Sequence, residues 1–391
     1  MDIDVVAAGH ICLDIIPAFQ GGDQARIAEL LTPGKLIDIG VATLATGGSV
    51  SNTGLALAKL GMNVRLMGKI GDDYFGKGII GLLEEYHAGD SMSVVPGAQT
   101  SYSVILALPG SDRVILHNPG ANHTFTAEDI TDALVRRARL FHFGYPPLMR
   151  SLFENDGAEL VKLFSRVKSY GVTTSLDMAL PDEFSEAGQA DWPAILQKVL
   201  PFVDIFMPSV EEILYMLDRA AYRRLAETAT ANDPLAGLDM EVLSALGARL
   251  LEMGVKVLAI KCGARGYYVR TGNVPDMGAA HPAQLSGWLG RELFAESFHV
   301  PAVVSAAGAG DNSVAGFLAA FLRGCTIEDC VRTACAVGAQ NVMVPDAVSG
   351  VKSWDETREM LMGWTKNRLS APGKGWVYDD ALELWVKSAK K

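Results

Sequence analysis

The chain has 391 residues, 49% of them apolar, with 40 Gly, 17 Pro and a formal net charge of −11. That length suits one large α/β domain or two smaller ones around a sizeable core, and the composition is that of an ordinary globular protein. The acidic balance argues against nucleic acid as the main partner, because a phosphate backbone is met by basic patches. No apolar run approaches membrane-spanning length, and no basic-then-apolar signal segment opens the chain, so the expectation is a soluble, cytoplasmic protein. Cys12, Cys262, Cys325, Cys330 and Cys335 lack Cys-x-x-Cys spacing and read as buried reduced thiols rather than structural zinc ligands or a disulfide framework.

Val5–Gly9 is a short apolar run ending in glycine and predicts a first buried strand. Asp14 follows just past its end, where open α/β sheets bind ligands; the plainer alternative is a solvated loop acid. Residues 15–46 read as loop-like. Thr46-Gly47-Gly48-Ser49-Val50-Ser51-Asn52 then opens a helix that stops at Gly61. Its small first turn lets a polar ligand approach the backbone, and Asn52 offers both donor and acceptor; the plainer alternative for Asn52 is a capping group. A strand is expected over Asn63–Gly68, a turn over 69–76, and a helix to about His87. Residues 101–117 read as a hairpin across Pro109–Asp112.

From Leu140 onward strands and helices alternate. Strands are expected at Leu140–Phe143, Val172–Leu176, Asp204–Met207 and Val257–Lys261, with helices such as Gly157–Tyr170 and Met240–Met253 between them. This pattern implies an α/β fold with a mainly parallel sheet and helices on both faces. Residues 271–297 show little periodicity and read as an excursion.

The stretch from Val303 to Phe317 reads as strand end, glycine turn and helix. Gly308, Ala309 and Gly310 carry nothing larger than a methyl, so a phosphate can reach free N–H groups at the positive helix end. Asp311 stands where an acid can take a proton from an attacking hydroxyl. The plainer alternative is a tight turn with an Asp cap. Val314, Phe317, Leu318, Phe321 and Leu322 mark one apolar helix face.

With both glycine stretches in view, the sequence resembles the ribokinase-like (PfkB) family of carbohydrate kinases. The first family signature is matched by Gly47-Gly48 through Asn52 and then Gly68-Lys69-Ile70-Gly71-Asp72-Asp73. The second is matched by Gly308–Asp311 through Phe317, and Gly120-Ala121-Asn122 also fits. The resemblance implies a kinase domain over 1–365, a small β lid built from about 15–46 and 101–117, and a C-terminal extension over 366–391 packed on the body.

It also implies an ATP- and Mg2+-dependent phosphotransferase acting on a hydroxymethyl group of a sugar or sugar-like alcohol. Asp311 would be the base and Gly308, Ala309 and Gly310 the anion hole. Asp14, Gly47, Gly48 and Asn52 would bind substrate. Lys261, Gly263, Gly266 and Ser209 would lie beside the nucleotide, and Glu212 would help hold magnesium. Lys35, Arg113 and His117 are candidates for meeting a substrate phosphate, with solvated lid side chains as the plainer alternative. The family usually has Asp-Thr-Thr before Gly-Ala-Gly-Asp; here Ser305-Ala306-Ala307 stands in its place, which puts the common monovalent-cation site in doubt. Ser209 likewise replaces the usual Asn. A nucleoside kinase, a non-catalytic sugar-binding relative, and a homodimer through the lid remain open alternatives. A nicotinamide-dependent dehydrogenase is disfavoured, because no Gly-x-Gly-x-x-Gly follows the first strand.

Overall fold

The computed structural model describes residues 1–19, 33–106, 114–230, 233–369 and 372–388. Its centre is a ten-stranded sheet. β1 (Ile3–Gly9), β4 (Val64–Met67), β9 (Ala138–Gly144), β10 (Thr173–Asp177), β11 (Ile205–Phe206) and β12 (Val257–Lys261) run parallel in the order β4-β1-β9-β10-β11-β12. Their period of two divides the apolar side chains between the faces. Phe141, Phe143, Leu258 and Ile260 join one core, while Leu140, Val257 and Ala259 join the other.

Four antiparallel strands extend this sheet past β12. β13 (Gly266–Thr271) and β14 (Glu292–Glu296) come first, then β16 (Leu384–Lys387) and β15 (Trp376–Asp379) from the chain end. The segment 271–297, expected to be an excursion, therefore contributes a core strand. In β14 only Leu293, Phe294 and Ala295 are apolar, and they alternate between the two cores, too short a run to stand out in the sequence.

Helices cover both faces. On one face lie α3 (Arg150–Ser169), α4 (Trp192–Val199), α5 (Val210–Leu217), α6 (Arg219–Thr228) and α7 (Met240–Glu252). α3 begins earlier than the pattern predicts and is broken at Asn155–Gly157, where three successive residues have positive φ. On the other face lie α1 (Ser49–Lys59), α8 (Ala309–Leu322), α9 (Ile327–Asn341) and α10 (Trp354–Leu361). α8 is buried on every side from Asp311 to Leu322 rather than along one stripe, because it lies between α1 and α9. No strand precedes it: Val303 and Val304 are exposed in an irregular segment.

A second sheet stands at one end. β2 (Cys12–Pro17) pairs antiparallel with β3 (Ala42–Gly47) and parallel with β7 (Tyr102–Leu106), which pairs with β8 (Val114–Asn118) as a hairpin. Asp14 thus sits in a strand rather than a loop. Parts of the stretch 15–46, the hairpin tip and Arg113 lie outside the described residues; Lys35 is exposed. β5 (Lys69–Gly71) and β6 (Ser93–Val95) form a small parallel pair beside α2 (Tyr74–Glu84).

The family-like motifs between these strands are joints. Asp73 caps α2 by accepting from the Gly76 amide at 2.8 Å, and it also accepts from the Thr100 hydroxyl at 2.6 Å. Asn122, fully buried, clamps the backbone of Ile11: its Nδ2 donates to the Ile11 carbonyl at 2.8 Å and its Oδ1 accepts from the Ile11 amide at 3.4 Å. This clamp fixes the turn between β1 and β2. Asn122→Ala leaves both Ile11 groups unpaired in the interior, at about 1–3 kcal/mol. Chemical denaturation is expected to show that loss with an unchanged slope.

Candidate active site

The carboxyl ends of β1, β9, β10 and β12 open on one cleft, with the second sheet above it. Open α/β sheets bind ligands at this edge because helix N-termini and strand ends converge there.

Asp311 is the third residue of α8 and is buried. Its side chain does not cap the helix. Instead, Oδ2 accepts from Asn52 Nδ2 at 3.0 Å, and Oδ1 accepts from the Tyr145 hydroxyl at 2.7 Å. Burial raises its pKa above the ordinary value, while Asn52, Lys261 and Tyr145 pull the other way. Asn52 is therefore tied to Asp311 and is not a first-turn cap; its Oδ1 is buried with no hydrogen-bond partner among the described residues. Tyr145, which the sequence reading missed, follows β9 with a left-handed φ of 69°. A non-glycine residue in that conformation carries strain, which the surrounding contacts must hold.

Two glycine turns bring these groups together. Gly308 has φ 67°, and a Cβ there would come within 2.4 Å of the Ala347 carbonyl oxygen. Any other residue would push α8 away. Gly48 has φ 88°, and a Cβ there would meet the His10 backbone at 2.5 Å. Asp14 packs its carboxylate flat over Gly47, so closely that a Cβ would lie 2.2 Å from Oδ2. At the start of α8 the Ala309 amide donates to the Ala306 carbonyl at 3.3 Å, so it is not the free donor the motif suggested. The Gly310 amide meets no acceptor among the described residues.

Lys261, at the end of β12, lies beside this turn: a Cβ on Gly310 would sit 3.8 Å from its ammonium. Lys261 pairs with Asp177 at the end of β10, a residue the sequence reading also missed. Burial disfavours the ammonium, but Asp177, Glu212 and Asp311 outweigh it and raise its pKa. Burial lifts Asp177 to about 6 despite Lys261, and lifts Glu212 to about 8. Asp177 Oδ2 is buried without a partner among the described residues. Ser209 and Glu212 form a capping box on α5. The Ser209 hydroxyl accepts from the Glu212 amide at 3.2 Å, and Glu212 Oε2 accepts from the Ser209 amide at 2.6 Å. Ser209 is thus a helix cap first.

Behind the turn lies a cavity of about 260 Å3, walled by Gly263, Tyr267, Phe298, Ala334, Cys335 and Asn367 and reaching Lys261 and Gly310. Gly266 also lines it, but a Cβ there would meet the Ala295 carbonyl oxygen at 1.9 Å, so pairing of β13 with β14 already requires glycine. Asn367 closes one side by donating to Ser297 Oγ at 2.9 Å and to the Phe298 carbonyl at 3.2 Å. His10 and His117 face each other, and Cys12 lies next to Asp14. His117 turns its ring nitrogens to His10 and Ser103.

Lys261→Met leaves Asp177 as an unpaired buried carboxylate, which is expected to cost about 3–5 kcal/mol at neutral pH. A carboxylate with a raised pKa becomes neutral as pH falls. Lys261 holds the Asp177 pKa down to about 6, so without it the carboxyl protonates at still higher pH. The cost therefore shrinks as pH falls from alkaline values, which denaturant melts at pH 9 and pH 6 would compare.

The model of the pfkB family carbohydrate kinases matches residues 6–354. An uncharacterized sugar kinase of Archaeoglobus fulgidus is 25% identical over 286 residues, which cover 73% of this chain and 94% of that protein. In fold, the chain is similar to the Arabidopsis thaliana ribokinase complexed with ribose and ATP. The TM-score is 0.68 at 20% identity, covering 93% of this chain and all of that one. Fructokinase with bound ATP from Xylella fastidiosa gives a TM-score of 0.67 at 20% identity, covering 93% of this chain and 99% of that one. With the family model spanning nearly the whole chain, and with a ribokinase-like sheet and cleft beneath it, this protein belongs to the pfkB family of carbohydrate kinases and is a sugar kinase.

Proposed function

We propose that the chain transfers the γ-phosphoryl group of ATP to a hydroxymethyl group of a sugar or sugar-like alcohol, with Asp311 as general base. The observation that carries this reading is the buried Asp311 carboxylate, held by Asn52 and Tyr145 next to the unpaired Gly310 amide and Lys261. The substrate oxygen attacks the γ-phosphorus, its proton passes to Asp311, and the bond to the ADP oxygen breaks. The Gly310 amide, the positive end of α8 and Lys261 face the charge that develops on the phosphoryl oxygens. The cavity behind the turn takes the nucleoside part of ATP, with Gly263, Gly266 and Asn367 against it. Asp14, over Gly47 and Gly48, and the open Oδ1 of Asn52 take substrate hydroxyls, and the sheet of β2, β3, β7 and β8 serves as the lid.

Magnesium fits this site: a hard cation takes oxygen ligands, and Asp177 Oδ2 and the Glu212 carboxylate are the buried acids next to Lys261. When bound, it supplies charge neutralisation on the phosphates. The lid also leaves Leu44, Ile115 and Leu116 exposed, which suits contact with a second copy of the chain. Sedimentation showing only monomer would discard that homodimer.

Asp311→Asn keeps the shape of the side chain but accepts no proton. Turnover is expected to fall by about 10²–10⁴ while the KM for sugar changes little. In the unaltered enzyme kcat/KM should rise with pH as Asp311 loses its proton. This limb lies above the ordinary carboxylate value because burial raises the group. Near-normal turnover by the Asn variant would end the assignment.

Activity is also expected to be nearly independent of potassium. Ser305 offers only a hydroxyl, which already accepts from the Ala307 amide at 3.1 Å. The Ala307 carbonyl accepts from Asn341 at 2.9 Å, and the Val342 carbonyl accepts from the amides of Val304 and Ser305. Turnover in sodium, potassium and tetramethylammonium salts at matched ionic strength tests this, and a several-fold activation by potassium would refute it.

A further inference from the structure

Beside Asp14, His10, Cys12 and His117 form a cluster for which phosphoryl transfer has no use. His10 Nε2 faces His117 Nε2 at 3.2 Å, and one ligand atom from each of His10, Cys12 and His117 lies within 4.8 Å of the other two. His10 precedes β2, Cys12 opens it, and His117 comes across from β8. We propose that His10, Cys12 and His117 form a binding site for a divalent cation of the zinc class, and that the bound ion closes the sugar pocket.

The spacing suits such an ion. Zinc holds imidazole nitrogens at about 2.0–2.1 Å and thiolate sulfur at about 2.3 Å. Tetrahedral angles then set the two nitrogens about 3.3 Å apart and nitrogen and sulfur about 3.6 Å apart. The two imidazoles already stand at that separation, and the sulfur would have to close in from within 4.8 Å, leaving its contact with Asp14. A mixed nitrogen and sulfur set favours zinc or cobalt over magnesium, which prefers oxygen. Ser103 supplies the outer support such sites use: its Oγ lies 3.1 Å from His117 Nδ1 and 3.6 Å from Cys12 Sγ. As the sulfur–metal bond forms, the thiol proton leaves to solvent. Three protein ligands leave the fourth position open.

The closure half of the proposal rests on the sugar-site reading above. Cys12 Sγ lies 3.3 Å from Asp14 Oδ1, and the His10 ring lies 6.2 Å from the ring of Tyr145, whose hydroxyl holds Asp311. An ion at the three ligands would lie beside the hydroxyl-binding acid and the tyrosine that holds the base, and so would crowd the sugar. It also ties the β7–β8 hairpin to β2.

The test begins without sugar or ATP. Cobalt(II) chloride is titrated into chelator-treated protein, and the near-ultraviolet thiolate-to-cobalt charge-transfer band is followed. The band is expected to saturate at one ion per chain, to bleach on adding zinc chloride, and to vanish in Cys12→Ser. His117→Asn, at the exposed edge of the cluster, is expected to weaken cobalt binding at least about tenfold. Circular dichroism checks that both variants fold. Turnover with excess magnesium is then measured with and without zinc chloride, and zinc is expected to raise the KM for sugar and leave that for ATP unchanged. No band, or a band that persists in Cys12→Ser, would overturn the site whatever the kinase chemistry. A normal band with an unchanged KM for sugar would overturn the closure and place the sugar elsewhere in the cleft.

Discussion

One ammonium among three buried carboxylates sets the geometry of the whole cleft. Lys261 cannot be charged in the interior alone, and neither can Asp177, Glu212 or Asp311; burial works against each of them. Together they compensate, provided that the strand ends and helix starts that bear them stay within a few ångströms. β10 brings Asp177, β12 brings Lys261, α5 brings Glu212 and α8 brings Asp311. The parallel order of the sheet is what lets these ends share one edge. The same ammonium lies beside the Gly310 turn, so one group both holds the acids and borders the start of α8.

The second constraint is the meeting of two helix starts. α1 and α8 both begin at glycines with positive φ, and both glycines let backbone approach backbone. The result is the Asn52–Asp311 hydrogen bond, between residues 259 positions apart. Tyr145 completes the grip from a strained residue after β9, and a grip from two sides leaves the carboxylate few orientations. The second sheet is anchored to the same region through Asn122 and Asp73, neither of which touches the acid. Positioning at the site is thus spread over joints well outside it.

Much of this was legible in the sequence. The parallel strands announced themselves because strands buried on both faces must be continuous apolar runs. The glycine turns did so because few residue types fit such turns. Asp311 followed from its place after the turn. Tyr145 and Asp177 gave no such signal, since a Tyr and an Asp at strand ends are common and their meaning lies in what they face. Short strands such as β14 escaped because three apolar residues between two acids carry too little period. Ser209 and Gly266 were legible as positions, but the fold gives each a structural duty as a cap and as a close strand contact.

The sequence by itself determined the class of fold, the two glycine-led helix starts and the acid that follows the second. These depend on local rules, namely side-chain period, backbone freedom and helix capping, and such rules act within a few residues. The tertiary structure alone decided which distant groups share a cleft. Asn52 and Tyr145 on Asp311, Asp177 on Lys261, and His10, Cys12 and His117 in one cluster are partners separated by tens to hundreds of positions. Their charge states and contacts arise from burial and from neighbours brought in by sheet order, and no local pattern records either.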